Sequence, residues 1–192
     1  NGNIDETKIE QKITSKTKAI VSVDYAGNPV NVKKIHQLCK RYDLQFISDS
    51  SHALGSEIED QKVGNFADAT IFSFHAIKPI TTFEGGAVAT NSKEIYEKVE
   101  LVKSHGIIKK SLWNADMVTM GYNFRLSDVA SAVGRSQLKR LDSFIEKREK
   151  IASYYDEVFK DNPFFSMIKS DFHSSRHLYP VLLNRSLQCA KE

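Results

Sequence analysis

Cysteine is scarce in this chain: Cys39 and Cys189 are its two, far apart, with no histidine or second cysteine at metal-ligand spacing. Neither a disulfide framework nor a zinc site is suggested, and a reducing, cytoplasmic setting is the default. Long apolar runs are missing too. No stretch approaches the roughly 18 residues that a membrane-crossing helix needs. The first residues carry no signal-peptide pattern and read as mid-protein sequence. Neither sign of charge is in excess, because 27 basic and 24 acidic residues are well mixed for a net charge of +3. A nucleic-acid footprint needs basic residues gathered on one face, and the densest run, Lys109-Lys110, is short. No internal repeat and no low-complexity segment is present.

What the chain does have is 192 residues, 41% of them hydrophobic, which is enough for a buried core. Lys18 to Val23 reads as a buried strand, and Asp24 to Pro29 as the turn after it. From Asn31 to Tyr42 the positions Val32, Ile35, Leu38, Cys39 and Tyr42 form one helical stripe with Asn31 as N-cap. Leu44 to Ile47 is the next strand, so strand, helix and strand make a βαβ unit with parallel pairing. Ala69 to Phe74 and Gly85 to Thr90 are further strands. Asp5 to Ser15 predicts a surface helix, and 55–64 a short exposed excursion. Asn91, with Glu94 three residues on, predicts the start of a helix carrying Ile95, Val99 and Val102. From Ser104 to Met120 periodicity is lost, which predicts a loop. Trp113, Met117 and Met120 suggest that this loop packs against something, such as a partner subunit. One long helix is expected from Ser127 to Asn162-Pro163, and a strand from His177 to Leu183 that begins a second unit. The abrupt end at Glu192 is expected of a fragment.

Two of the strand tips carry chemistry. The run Leu44 to Ile47 enters Ser48-Asp49-Ser50-Ser51-His52, and Ala69 to Phe74 enters His75-Ala76-Ile77-Lys78. In an open α/β sheet, ligands sit beyond the carboxyl ends of the strands, so both clusters lie where a site would be. A lysine whose pKa is lowered by its surroundings can bond an aldehyde, and a carboxylate across the site can hold a proton on a ring nitrogen. That combination suits pyridoxal 5′-phosphate. Ser73 could donate to its phosphate and His52 could contact its ring. Taken singly, each has a plainer reading: most lysines are solvated, and Asp-Ser-Ser is a common turn start. His36 reads as a surface residue, and His105-Gly106 as a helix end with its glycine cap. His75 could face the pocket or pack. Ser51-His52 lacks both the geometry and the third group of a hydrolase.

These residues, in order, resemble a known family. Ser48 to Gly55, Val63 to Ala69, Ser73-Phe74 to Lys78, Glu84 to Val88 and Tyr122 to Leu126 look like the DegT/DnrJ/EryC1/StrS aminotransferases, over roughly Lys18 to Leu141. The resemblance implies the α/β large domain of a fold-type I pyridoxal 5′-phosphate aminotransferase, a central mostly parallel sheet flanked by helices. Residues 1–126 would belong to that domain, 127–162 to a long linking helix and 163–192 to the beginning of a small C-terminal domain. It makes Lys78 the amine that bonds the cofactor and moves the proton, and Asp49 the partner of the pyridine nitrogen. Ser73 becomes a phosphate ligand, and His52 takes the place of a ring-contacting Gln. Asn123 sits where the family's phosphate-binding Asn reaches across from the other subunit, which implies a homodimer with shared active sites. His177 would approach the substrate of the neighbouring subunit.

The activity implied is ping-pong transfer of the amino group of L-glutamate to the C4 keto group of a UDP-linked 6-deoxy-hexulose. Two departures stand out: Phe83 where small residues are usual, and Ala130 in place of a common Gln. The family's amino-terminal Gly-Thr turn and ring-stacking aromatic have no counterpart here, so these 192 residues alone are expected to be inactive. Other readings are a related nucleotide-sugar aminotransferase acting at C3 or C4, or a non-catalytic regulator that keeps the fold. The family's sugar dehydratases carry His in place of the lysine, and Lys78 argues against them.

Overall fold

In the structure, a computed structural model, residues 2–111 and 113–184 are described. Its centre is a four-stranded sheet in the order β1 (Ala19–Val23), β2 (Gln45–Asp49), β5 (Ala69–Ser73), β6 (Gly86–Ala89). The first three strands are parallel and β6 runs antiparallel to β5. The carboxyl ends of β1, β2 and β5 therefore share one edge, and β6 starts there, with Gly86 opposite Ser73. Between β1 and β2, α1 (Val32–Tyr42) buries Val32, Ile35, Leu38 and Cys39. Asn31 caps it by accepting the Lys34 N–H. These residues join Ile20, Phe46 and Ile58 in the main core. A smaller cluster ties Ile80, Leu54 and Phe74, from the loops at the strand tips, to Leu141 and Ile145.

Several expectations are corrected. Instead of a helix over Asp5 to Ser15 there are two short 3-10 turns, Glu6–Lys8 and Glu10–Lys12. Asp5 and Thr17 side chains take backbone N–H groups from Thr7 and Thr14, competing with a helical ladder. The 55–64 excursion contains a hairpin, β3 (Glu57–Ile58) and β4 (Gln61–Lys62). Glu59 and Asp60 turn it at positive φ, and Ile58 is buried in the core rather than exposed. The cap of α2 (Lys93–Lys103) is Ser92, not Asn91.

Further along, residues 104–120 contain a hairpin, β7 (Ile107–Lys109) and β8 (Ala115–Met117), whose three-residue strands are too short to show a period. The helix expected from 127 to 162 is two: α3 (Asp128–Leu138), capped by Ser127, and α4 (Leu141–Phe159). The break at Lys139 and Arg140 turns Leu141 and Ile145 into the smaller cluster. Of the strand expected over His177 to Leu183, only β10 (Val181–Leu183) pairs, with β9 (Phe165–Met167). Pro180 has no N–H for a ladder. Cys189 and the rest of 185–192, at the end of the expected small domain, lie outside the described residues. Among the described residues no helix is long and apolar enough to cross a membrane.

Candidate active site

Parallel pairing sets the geometry of the tip cluster. Val23 stands opposite Asp49, and Asp49 opposite Ile71, so the loops leaving β1, β2 and β5 emerge side by side. Asp49 is the last residue of β2 and is half-buried. One of its carboxylate oxygens accepts the Ser51 N–H at 3.0 Å, and the other has no hydrogen-bond partner among the described residues. Ser73 ends β5, half-buried, and its hydroxyl accepts the His75 N–H at 3.4 Å. Lys78 follows in a turn closed by its own N–H to His75 O at 3.0 Å. It is half-buried, and no ion pair engages its ammonium among the described residues. His75 faces Glu84 instead, at 3.7 Å.

His52 is where these groups meet. Its Nδ1 accepts the Ala26 N–H at 3.3 Å. Burial lowers its pKa and the Lys78 charge lowers it further, while the Asp49 carboxylate pulls the other way. Asp49, His52 and Lys78 are therefore within electrostatic reach of one another from two separate strand tips. Asn123 is not part of this group. It is exposed on the segment after β8, bridged to Ser104 and flanked in sequence by Tyr122 and Phe124, whose rings stack on each other. Phe83 stands at φ 69 and is 66% exposed.

Two further groups stand at the site, one of them not singled out from the sequence and the other expected at the neighbouring subunit's substrate. Asp24, directly after β1, is 1% exposed; it accepts the Ser50 hydroxyl at 2.6 Å, the Val30 N–H at 2.9 Å and the Ser48 hydroxyl at 3.3 Å. Burial raises its pKa against those three hydrogen bonds, and the Asp49 charge adds to the rise. Its place at the tip of the neighbouring strand was visible in the sequence, but its burial was not. His177 is the other. Its ring lies 4.5 Å from that of His52 in the same chain, and burial first, then His52, Lys78 and Arg148, take its pKa down to about 4. Two surface concavities of about 770 and 730 Å³ lie elsewhere, one between α4 and the β3–β4 hairpin, the other against β6 and α2. Neither is lined by Asp49, His52 or Lys78.

The model of the DegT/DnrJ/EryC1/StrS aminotransferase family matches residues 1–192. The chain belongs to that family. Among DegT/DnrJ/EryC1/StrS proteins it is similar to the UDP-4-amino-4,6-dideoxy-N-acetyl-beta-L-altrosamine transaminase of Campylobacter jejuni serotype O:23/36, 54% identical over 100% of this chain and 52% of that one. The Helicobacter pylori protein of the same name is 52% identical, again over 100% and 52%. A solved structure, Helicobacter pylori PseC, an aminotransferase involved in the biosynthesis of pseudoaminic acid, superposes with a TM-score of 0.93 at 53% identity. That match covers 96% of this chain and 50% of the other. The chain spans about half the length of the curated DegT/DnrJ/EryC1/StrS relatives it matches.

Proposed function

We propose that the chain is the central part of a pyridoxal 5′-phosphate enzyme that moves the amino group of L-glutamate to the C4 ketone of a UDP-linked 6-deoxy-hexulose. One observation carries the assignment: an unpaired, half-buried Lys78 and an Asp49 carboxylate act on the same His52 from different strand tips. The donor set fits the cofactor, with an amine free to bond its aldehyde, a free carboxylate oxygen for its ring nitrogen, a hydroxyl for its phosphate and an imidazole for its ring. When bound, pyridoxal 5′-phosphate supplies an electron sink for the carbanion left beside the amino nitrogen.

The residues of the chain do the rest. Lys78 Nζ takes the Cα proton of glutamate and later returns a proton to the carbon that becomes C4 of the amino sugar. Asp49 keeps the ring nitrogen protonated, and Ser73 Oγ donates to the phosphate. Asn123, exposed and outside the cluster of its own chain, would serve the phosphate in the second subunit of a homodimer. The names of the similar Campylobacter and Helicobacter proteins support a place in pseudaminic acid biosynthesis. In this reading the enzyme acts in the cytoplasm, where nucleotide sugars are its substrates. In this reading 1–126 belong to the cofactor-binding domain, 127–162 link, and 163–192 begin the smaller domain.

The intact protein should show the visible absorption band of the bound cofactor. Lys78→Ala should abolish it, and glutamate should shift the wild-type band to the amine form of the cofactor. Among UDP-linked keto sugars, a 4-keto-6-deoxy compound should then be consumed. A wild-type protein with no such band ends this reading.

A further inference from the structure

Residues 173–178 lie across the carboxyl ends of β1 and β2 and are fastened there by groups distant in sequence. The Ser175 N–H donates to Ser56 Oγ at 2.9 Å across 119 positions, and Ser175 Oγ donates to His52 O at 2.8 Å across 123. Leu178 N–H donates to Ala26 O at 3.2 Å, and Ser56 Oγ itself donates to Gly27 O at 2.8 Å. Ser56, Ser174 and Ser175 are all buried. The approach is close enough to require a glycine below it: a Cβ on Gly27 would stand 2.5 Å from Ser175 Oγ. Arg176 adopts φ 50, a conformation side chains rarely take, and is held by a two-point ion pair with Glu149 of α4 at 2.8 and 3.2 Å. Backbone strain persists where the surroundings over-determine it. What this strain orients is the next residue, His177, against the ring of His52.

We propose that this strap makes His177 a positioning residue, whose ring holds His52 in the plane where its Nδ1 meets the Ala26 N–H, and so maintains the tautomer that this hydrogen bond selects and the face that His52 turns toward the cofactor. The inference rests on the reading of the tip cluster as a pyridoxal 5′-phosphate site. Because His52 Nδ1 accepts the Ala26 N–H, the single proton of the neutral ring sits on Nε2. The ionisable groups facing His52 are Lys78, Asp49, His177 and Tyr25, whose ring lies 6.2 Å away, and those facing His177 are His52, Lys78 and Arg148 of α4. Burial first, and then Lys78, hold both histidines below their ordinary values, so the tilted pair favours the neutral form; two protonated rings would set like charges side by side.

Imidazole nitrogen-15 shifts, recorded on the intact protein with and without pyridoxal 5′-phosphate, test this. In the wild type His52 should give a single Nε2–H signature. His177→Phe, which keeps a ring in contact, should preserve it, and His177→Ala should lose it. Ser175→Ala, which removes one hydroxyl from the strap, should lose it in part. An unchanged His52 signature in His177→Ala overturns the proposal, whether or not that variant melts earlier. An equal loss in the Phe and Ala variants overturns it as well. Absence of the cofactor band from the same wild-type sample would sink the cofactor reading and leave the tautomer result standing.

Discussion

Asp49 and Ser73 end neighbouring strands, but removing them should cost different things. Asp49→Ala removes the group that keeps the ring nitrogen protonated, so kcat should fall about a hundredfold or more while cofactor affinity barely moves. Ser73→Ala removes a donor to the phosphate, so cofactor affinity should fall roughly tenfold with kcat retained at saturation. Titration by absorbance and steady-state rates on the two variants separate these outcomes, and small, equal losses in both would count against the roles. The placing of Asp49 and Lys78 at strand tips was legible, because each follows a short apolar run bounded by polar residues, and both runs form strands. The burial of Asp24 was not, since an aspartate followed by Gly and Asn-Pro looks like any turn. Nothing local distinguishes it from an exposed acid, although three donors converge on it. His177 was illegible in a stronger sense: its contact with His52 depends on a strap closed by hydrogen bonds over more than a hundred residues, which no short window records.

At the level of elements, the sequence spoke clearly where the pattern was long. β1, α1 and β2 follow their apolar spacing, and Asn31 caps as expected. It was silent where elements are three residues long, as in the β7–β8 hairpin. It was misleading where one helix was begun at Ser127, although the apolar residues Leu141, Phe144, Ile145, Ala152, Tyr155 and Phe159 all follow the break at Lys139 and Arg140. Gly106 connects the two kinds of region. Its N–H closes the end of α2 on Leu101 O at 2.9 Å, as the His105-Gly106 pair predicted, and it then enters β7. Its φ is 67, and a Cβ there would stand 1.9 Å from Thr119 O. Gly106→Ala should therefore destabilise the protein by about 2 kcal/mol or more, through both the left-handed backbone and the clash. Urea denaturation of the variant measures it; a loss near zero would mean that the hairpin moves aside freely.

For the molecule as a whole, acid should weaken the fold through the histidine pair. His177 titrates at about 4 in the folded chain against 6.5 as the ordinary value, and His52 is lowered as well. The unfolded chain then binds more protons between those values, so this contribution is complete above pH 6.5 and is lost as pH falls toward 4. His177→Phe should flatten that part of the stability profile measured by urea denaturation across pH. Asp24, raised by burial, works in the opposite sense: its contribution is full below 3.8 and is lost as pH rises through its folded value. Asp24→Asn should remove that second slope and leave the first.

Exposed apolar side chains add a prediction about assembly. Trp113 is 88% exposed, and Met117 and Met120 are each 74% exposed, on and beside the β7–β8 hairpin. A homodimer would cover them. Met117→Lys combined with Met120→Lys should shift sedimentation toward the monomer, and an unchanged sedimentation coefficient would remove this hairpin from the interface.

The serine-fastened strap also imposes an order on synthesis. A ribosome adds about 5–20 residues per second. At that rate the tips of β1 and β2 emerge about 6 to 30 seconds before the segment that clamps them. During that interval a nascent chain offers a lysine and an acid without the clamp over them, so cofactor capture should mature only after the later part of the chain has been made.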